Sequence, residues 1–253
     1  MIFGGFASTG STTAEILAFD PAAGQVSHVG QLAVPVHDAA GVALGATFLI
    51  FGGGGTAPVS VVQQIDSSGV SRLIGHLPAV RADLSAVSIG SSAFVMGGGA
   101  SGLLDRQVLA TEDGVHFRVL GTLQVGVRYA AVAEVGGLIY VMGGVGPGGD
   151  RVEIQRIDPT TGEVTVIGNM PESISHASGM VIGGRMFVVG GRHGGEARDT
   201  IWQVDVATGT THLAGRLPRA ISDFATAVVA GTGYLIGGET SAPVASIVSI
   251  VIQ

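Results

Sequence analysis

The chain has 253 residues, of which 43 are glycine, 46% are hydrophobic and only 12% are charged. This length supports one large domain, and the composition suits many short buried strands joined by tight glycine turns rather than a disordered chain. No apolar run approaches the length of a bilayer-spanning helix, so we expect a soluble protein without membrane insertion.

The formal net charge is −7, and all twelve basic residues are arginines scattered along the chain. Nucleic-acid binding depends on a clustered basic surface that releases counterions, and the sequence has no such cluster. The absence of cysteine excludes disulfides, thiolate metal ligands and a cysteine nucleophile. We therefore expect no nucleic-acid partner, and no motif indicates a cofactor or a metal site.

The first predicted element is an apolar strand that ends in a Gly-Gly doublet, and this pattern occurs six times in the chain. The copies are IFGG at 2–5, FLIFGG at 48–53, AFVMGG at 93–98, IYVMGG at 139–144, MFVVGG at 186–191 and YLIGG at 234–238. They are spaced 45 to 48 residues apart. A period in this range is typical of propeller repeats.

Two further features recur in step with the doublet. An Asp opens a short turn that Gly closes, beginning at Asp20, Asp66, Asp158 and Asp205, with a variant copy at Asp113-Gly114. A Gly-x-Leu or Gly-x-Met segment then follows at Gly30, Gly75, Gly121, Gly168 and Gly215. Asp favours the start of a turn and Gly supplies its positive φ angle, so we predict that these acids are structural.

Each repeat is predicted to contain four strands. The first alternates, as in 83–89, the second is the continuous apolar run, the third leads into the Asp turn, and the fourth is polar at one matched position. No segment has a helical period. Four-stranded sheets at this spacing predict an all-β fold made of propeller blades.

The Gly-Gly doublet after an Ile-Tyr-Val type of strand resembles the kelch-repeat β-propeller family, and the resemblance covers nearly the whole chain. It departs in one respect, because the family usually carries a Trp in the fourth strand and the only tryptophan here, Trp202, lies on a predicted third strand. The resemblance implies a propeller with a ligand or partner site on one face.

The number of blades follows from a strand count. The chain provides 22 predicted strands, whereas six blades require 24 and five require 20. Six Gly-Gly strands favour six blades with incomplete terminal blades, within a single domain spanning residues 1–253, and five blades is the alternative. We expect the native chain to extend upstream of Met1, or another strand to pair with the open terminal blades. No signal peptide is visible. The sequence does not decide the cellular compartment, and an extracytoplasmic location is an alternative if the native chain extends upstream.

One set of polar residues occupies matched positions at the start of the first strands. The residues are His37, Asp38, Arg81, Asp83, Arg128, Tyr129, His176 and Asp223. We predict that they converge in a funnel at the central channel and bind a ligand there. The structural alternative is that each Asp caps loop amides or pairs with a nearby Arg.

Two functions remain open on the sequence alone. The first is a non-enzymatic module that binds a protein, peptide or glycan through the funnel face. The second, known among six-bladed kelch-like proteins, is a small sugar-modifying enzyme of the mutarotase or isomerase type, with acid and base residues in the same funnel. No catalytic motif in the sequence decides between them.

Overall fold

The structure of the protein is a computed structural model that describes residues 1–7 and 9–252. Every element of regular secondary structure assigned to these residues is a β-strand, as the sequence predicts. The chain divides into two compact units, Met1–Val119 (unit 1) and Leu120–Gln253 (unit 2).

Among the described residues, unit 1 contains three antiparallel sheets, and the last strand of the third one continues into unit 2. The first has the order β1 (Ile2–Phe3), β2 (Glu15–Asp20), β3 (Gln25–Gln31). The second has the order β4 (Ala40–Leu44), β5 (Thr47–Phe51), β6 (Val61–Ile65), β7 (Ser71–His76). The third contains β8 (Ala82–Ile89), β9 (Ser92–Ala100), β11 (Gln107–Thr111) and β12 (Arg118–Thr122), and the short β10 (Leu103–Leu104) pairs with the end of β9.

Unit 2 also contains three main sheets. The fourth sheet has the order β13 (Ala131–Val135), β14 (Leu138–Met142), β17 (Glu153–Ile157), β18 (Val164–Asn169). The fifth has the order β19 (Ser178–Ile182), β20 (Arg185–Val189), β23 (Thr200–Val204), β24 (Thr211–Arg216). The sixth has the order β25 (Ala225–Val229), β26 (Thr232–Ile236), β27 (Ile247–Ile250). Two small hairpins follow the Gly-Gly doublets, β15 (Val145–Gly146) with β16 (Gly149–Asp150) and β21 (Arg192–His193) with β22 (Glu196–Ala197).

The strands of each sheet follow one another in sequence order, and this order confirms the predicted four-strand repeat. The first and sixth sheets have three strands each among the described residues, as the strand count predicts. The last strand, β27, pairs with β26 over Ile247–Ile250. The five additional short strands belong to the hairpin loops, which carry no repeat signal in the sequence.

The core lies between neighbouring sheets. The second strand of the third, fourth and fifth sheets is the most deeply buried, and residues 139–142 of β14 and 186–189 of β20 are at most 2% exposed. In unit 2, Tyr140 and Met142 pack with Met186 and Val188 of the next sheet. In unit 1, the corresponding cluster joins residues of the second and third sheets. Burial on both faces explains why these strands are continuously apolar rather than alternating.

The Gly-Gly doublets hold neighbouring sheets together. The second glycine donates its amide to a carbonyl at the start of the next sheet: Gly53 to Arg81 at 2.8 Å in unit 1, and Gly191 to Ile221 at 2.9 Å in unit 2. The first glycine lies so close to the same carbonyl that a β-carbon on Gly52 would stand 2.5 Å from the Arg81 oxygen. The doublet is therefore a joint between sheets, and no larger residue fits there.

Candidate functional site

The candidate site is built on an unusual backbone conformation. Seven residues other than glycine have positive φ angles among the described residues, and five of them are the matched residues predicted to face the funnel. These five, called the left-handed positions below, are Asp38, Asp83, Tyr129, His176 and Asp223, with φ between 50° and 60°. The left-handed region is unfavourable for most side chains and is tolerated best by Asn, Asp and His.

A backbone connection between sheets explains why the chain adopts this conformation at each site. The amide of Asp83 donates to the carbonyl of Asp38 at 3.0 Å in unit 1. In unit 2, His176 donates to Tyr129 at 2.9 Å and Asp223 donates to His176 at 3.1 Å. Within each unit, backbone hydrogen bonds thus link the left-handed positions of neighbouring sheets directly, which places their Cα atoms next to each other.

The first group of side chains in unit 2 is a stack of rings. The Tyr129 and His176 rings lie 3.9 Å apart between centroids with an angle of 22° between their planes. The guanidinium carbon of Arg128 stands 5.4 Å from the Tyr129 centroid, within the range of a cation–π contact. The His176 Nδ1 atom lies 2.9 Å from the hydroxyl of Ser175, which is buried, so the imidazole is held on its inner edge.

The second group in unit 2 is a network of charges around Arg192. Its Nη2 atom lies 3.1 Å from an Asp223 carboxylate oxygen and 2.9 Å from one of Glu239. Its Nε atom donates to the hydroxyl of Ser222 at 2.9 Å, and that hydroxyl donates to Asp223 at 2.6 Å. Because His176 Nε2 lies 3.8 Å from the other Asp223 oxygen, the ring stack and the charge network are continuous.

In unit 1, His37 is the centre of a smaller cluster. Its ring stacks on Phe6 with 4.2 Å between centroids, and its Nδ1 lies 2.8 Å from the hydroxyl of Thr12. Its Nε2 lies 3.9 Å from Asp38. Burial lowers the pKa of His37, although the Asp83 carboxylate acts in the opposite direction. Burial therefore favours the neutral form of the His37 imidazole, which lies beside two carboxylates.

Arg81 does not lie with the other predicted site residues at the surface. It is 0% exposed; its Nη2 atom lies 2.8 Å from Asp105, and its Nη1 donates to the carbonyl of Gln107 at 3.1 Å. Burial lowers the pKa of Arg81, and Asp105 offsets part of that effect. The matched positions in other sheets are Val36, Val127, Ile174 and Ile221, all core residues. Arg81 occupies a core position, so its contacts are within the fold.

Comparison with known proteins identifies the repeat. A family model described as the kelch motif matches residues 127–171 and 174–210, and the matched segments include Tyr129 and His176. The protein is a kelch-repeat β-propeller. Among the described residues, its six main sheets are the six blades, and the first and last have three strands each.

The propeller fold has a counterpart among solved structures. A structure titled "Structure of YjhT" matches with a TM-score of 0.84, covering 98% of this chain and 91% of that chain. The two sequences are 14% identical, so the likeness concerns the fold alone. A search of the curated proteins gives no match.

The propeller brings several unpredicted residues to the left-handed positions. Arg192 and Glu239 follow Gly-Gly doublets and form β-bridges with Ser175 and Ser222, the residues that precede His176 and Asp223. Their shared position directly after a doublet is the signal by which the sequence could have located them. Phe6 also follows a doublet and pairs with Thr12, yet nothing in the sequence indicates its stacking on His37.

The predicted structural role of the turn acids is confirmed. Asp20, Asp158 and Asp205 each accept a hydrogen bond from the amide two residues later, at 2.8 to 2.9 Å. Among residues 1–7 and 9–252, no group of three or more His, Asp or Glu side chains is arranged to hold a metal ion. In the same residues, no helix is long and apolar enough to cross a membrane.

Proposed function

We propose that this kelch propeller is a non-enzymatic binding module whose funnel face recognises a protein, peptide or glycan. The side chains that make contact are those of the left-handed positions, together with His37 and Arg128. Arg81 is not among them, because its buried contacts leave it no exposed surface.

One observation carries this proposal. The chain uses glycine at thirty described positions with positive φ, including every Gly-Gly doublet and most tight turns. Five of the seven non-glycine residues with positive φ among the described residues are the left-handed positions. Glycine would satisfy the same backbone hydrogen bonds there without strain. A chain rich in glycine that keeps Asp, His and Tyr at five strained positions supports a use for those side chains beyond folding.

The chemistry of the two clusters also supports recognition. Each unit combines a ring stack with carboxylates, and unit 2 adds two guanidinium groups, those of Arg128 and Arg192. Such a surface offers flat faces, hydrogen-bond donors and acceptors without a large excess of one charge. The same mixture is typical of sites that orient a polar ligand.

Substitution by glycine tests the proposal, because it removes a side chain while relieving the backbone. The probes are a glycan array and a peptide library, on which the parent protein is expected to select a ligand. We expect the double variants Asp38→Gly/Asp83→Gly and His176→Gly/Asp223→Gly to lose most of that binding and to melt within a few degrees of the parent.

The matched controls are Ser101→Gly and Ala230→Gly, the two remaining non-glycine residues with positive φ. They lie in the turns that join β9 to β10 and β25 to β26 and belong to neither cluster, so the ligand is expected to bind both variants as it binds the parent. Unchanged binding by both double variants, or no selection from either probe set by the parent, would refute the proposed function.

A second candidate function rests on the pair formed by His176 and Asp223. An imidazole nitrogen 3.8 Å from a carboxylate, with Arg192 beside it, is a suitable acid–base arrangement for a sugar mutarotase or isomerase. Acceleration of the exchange between the α and β anomers of reducing sugars, followed by NMR and lost in His176→Gly, would favour this enzyme over the binding module.

A further inference from the structure

Tyr129 is the exception among the left-handed positions. The other four carry Asp or His, which tolerate positive φ better than most side chains do. Tyr129 has a φ of 53° and a large ring, a combination that is unfavourable for its backbone. The backbone conformation at this position favours Asn or Gly.

The surroundings of the ring account for only part of this choice. Stacking on His176 and the nearby Arg128 both favour the ring, but the backbone bond that links the blades uses the carbonyl of residue 129 and not its side chain. Tyr129 is partly exposed. The link between the blades therefore does not depend on which side chain stands at residue 129.

We propose that Tyr129 is retained to contact a ligand ring, at the expense of folding stability. The inference rests on the proposed binding function and specifies it further: the ligand presents a flat ring face to the Tyr129–His176 stack. Such a face is offered by a sugar ring or an aromatic ring, and both pack well on aromatic side chains. His176, Asp223 and Arg192 then provide polar contacts at the edge of that ring.

The first test needs no ligand. Tyr129→Asn removes the ring and suits the left-handed backbone, so we expect it to melt at or above the temperature of the parent. Tyr129→Phe keeps the ring and is expected to melt close to the parent. In the NMR spectrum, the ring protons of His176 should be shifted upfield by the stack in the parent and in Tyr129→Phe, and should lose that shift in Tyr129→Asn. A clear fall in the melting temperature of Tyr129→Asn would show that the ring serves folding, and would overturn the inference.

The second test identifies the ring. N-acetyltryptophan amide and methyl glucoside are titrated separately, at millimolar concentrations, while the His176 signals are followed. At least one probe is expected to shift these signals in the parent and in Tyr129→Phe but not in Tyr129→Asn, and the probe that does so identifies the kind of ring. No shift with either probe, or an equal shift in Tyr129→Asn, would contradict a ring-binding role. If the double variants Asp38→Gly/Asp83→Gly and His176→Gly/Asp223→Gly lose binding but Tyr129→Asn does not, the proposed function stands and this inference fails.

Discussion

Gly168 lies directly against Gly209 of the next blade, and a β-carbon on Gly168 would stand within 3.0 Å of the Gly209 carbonyl oxygen. Gly168 belongs to the Gly-x-Met segment at the end of its blade, whereas Gly209 closes the Asp turn of the following one. Gly30 and Gly69 form the same contact in unit 1. The two recurring sequence features remain in register because they pack on each other between blades.

This contact predicts that Gly168→Ala is destabilising for steric reasons alone, since Gly168 does not have a positive φ angle. We expect a loss of about 1–3 kcal/mol in the free energy of unfolding, the usual range for overpacking. Gly215→Ala is the matched control: it is the same segment position, and its added β-carbon would meet only Ile201, at an ordinary 3.9 Å. Urea denaturation measures both, and equal losses would contradict the contact.

The buried pair of Arg81 and Asp105 provides a second prediction. Arg81→Val leaves Asp105 without its cation in a partly buried site, so we expect a loss of about 3 kcal/mol. Val36 and Val59 occupy the corresponding positions of the preceding blade and pack in one core cluster, so the double variant Arg81→Val/Asp105→Val introduces the same residue types. Because the Arg81 Nε atom has no hydrogen-bond partner, the aliphatic pair should restore most of the lost stability.

A double-mutant cycle, measured by denaturant unfolding, decides this prediction. If the double variant is as unstable as the sum of the two single variants, the charges do not interact and the assignment of Arg81 to the fold fails.

The turn acids predict how stability depends on pH. Hydrogen bonds from turn amides lower the pKa of Asp158 and of Asp205 below the ordinary carboxyl value. The unfolded chain therefore binds these protons first as the pH falls, so the stability they contribute is present above about pH 4 and is lost below it. Asp158→Asn/Asp205→Asn keeps the turn acceptors but cannot titrate. We expect it to lose less stability than the parent between about pH 5 and pH 3.

Thermal denaturation across this pH range provides the measurement. The alanine pair Asp158→Ala/Asp205→Ala, which removes the acceptors, should instead be less stable at every pH. Parallel pH profiles for the parent and the asparagine pair would contradict the prediction.

Much of this fold is predictable from sequence because its joints are made by glycines. The doublets, the Asp turns and the Gly-x-Leu segments are positions where sterics or positive φ exclude other residues, so they repeat visibly. The order of strands follows from that repeat. The predicted convergence of the site residues in a single funnel stays a prediction, while each unit brings its own members together except for Arg81.

Side chains at the site are harder to predict, because their contacts depend on depth and on distant partners. Arg81 is polar and close to Asp83 in sequence, yet it points into the core towards Asp105. The stacking of Phe6 on His37 joins residues from neighbouring blades and leaves no pattern in either segment. The positive φ angle of Tyr129 could not be predicted from the sequence either, because tyrosine does not indicate that conformation.

If the five left-handed positions carry side chains for binding and not for folding, glycine should replace all five with little loss of stability. The test is thermal denaturation of a variant with glycine at Asp38, Asp83, Tyr129, His176 and Asp223, compared with the same variant carrying alanine. Alanine keeps the backbone strain but removes the side-chain contacts. The alanine variant should therefore be less stable than the glycine variant by about 1 kcal/mol per position. We predict that the glycine variant melts within a few degrees of the parent and above the alanine variant. A glycine variant that melts far below the parent would show that these side chains hold the blades together, and would contradict the account.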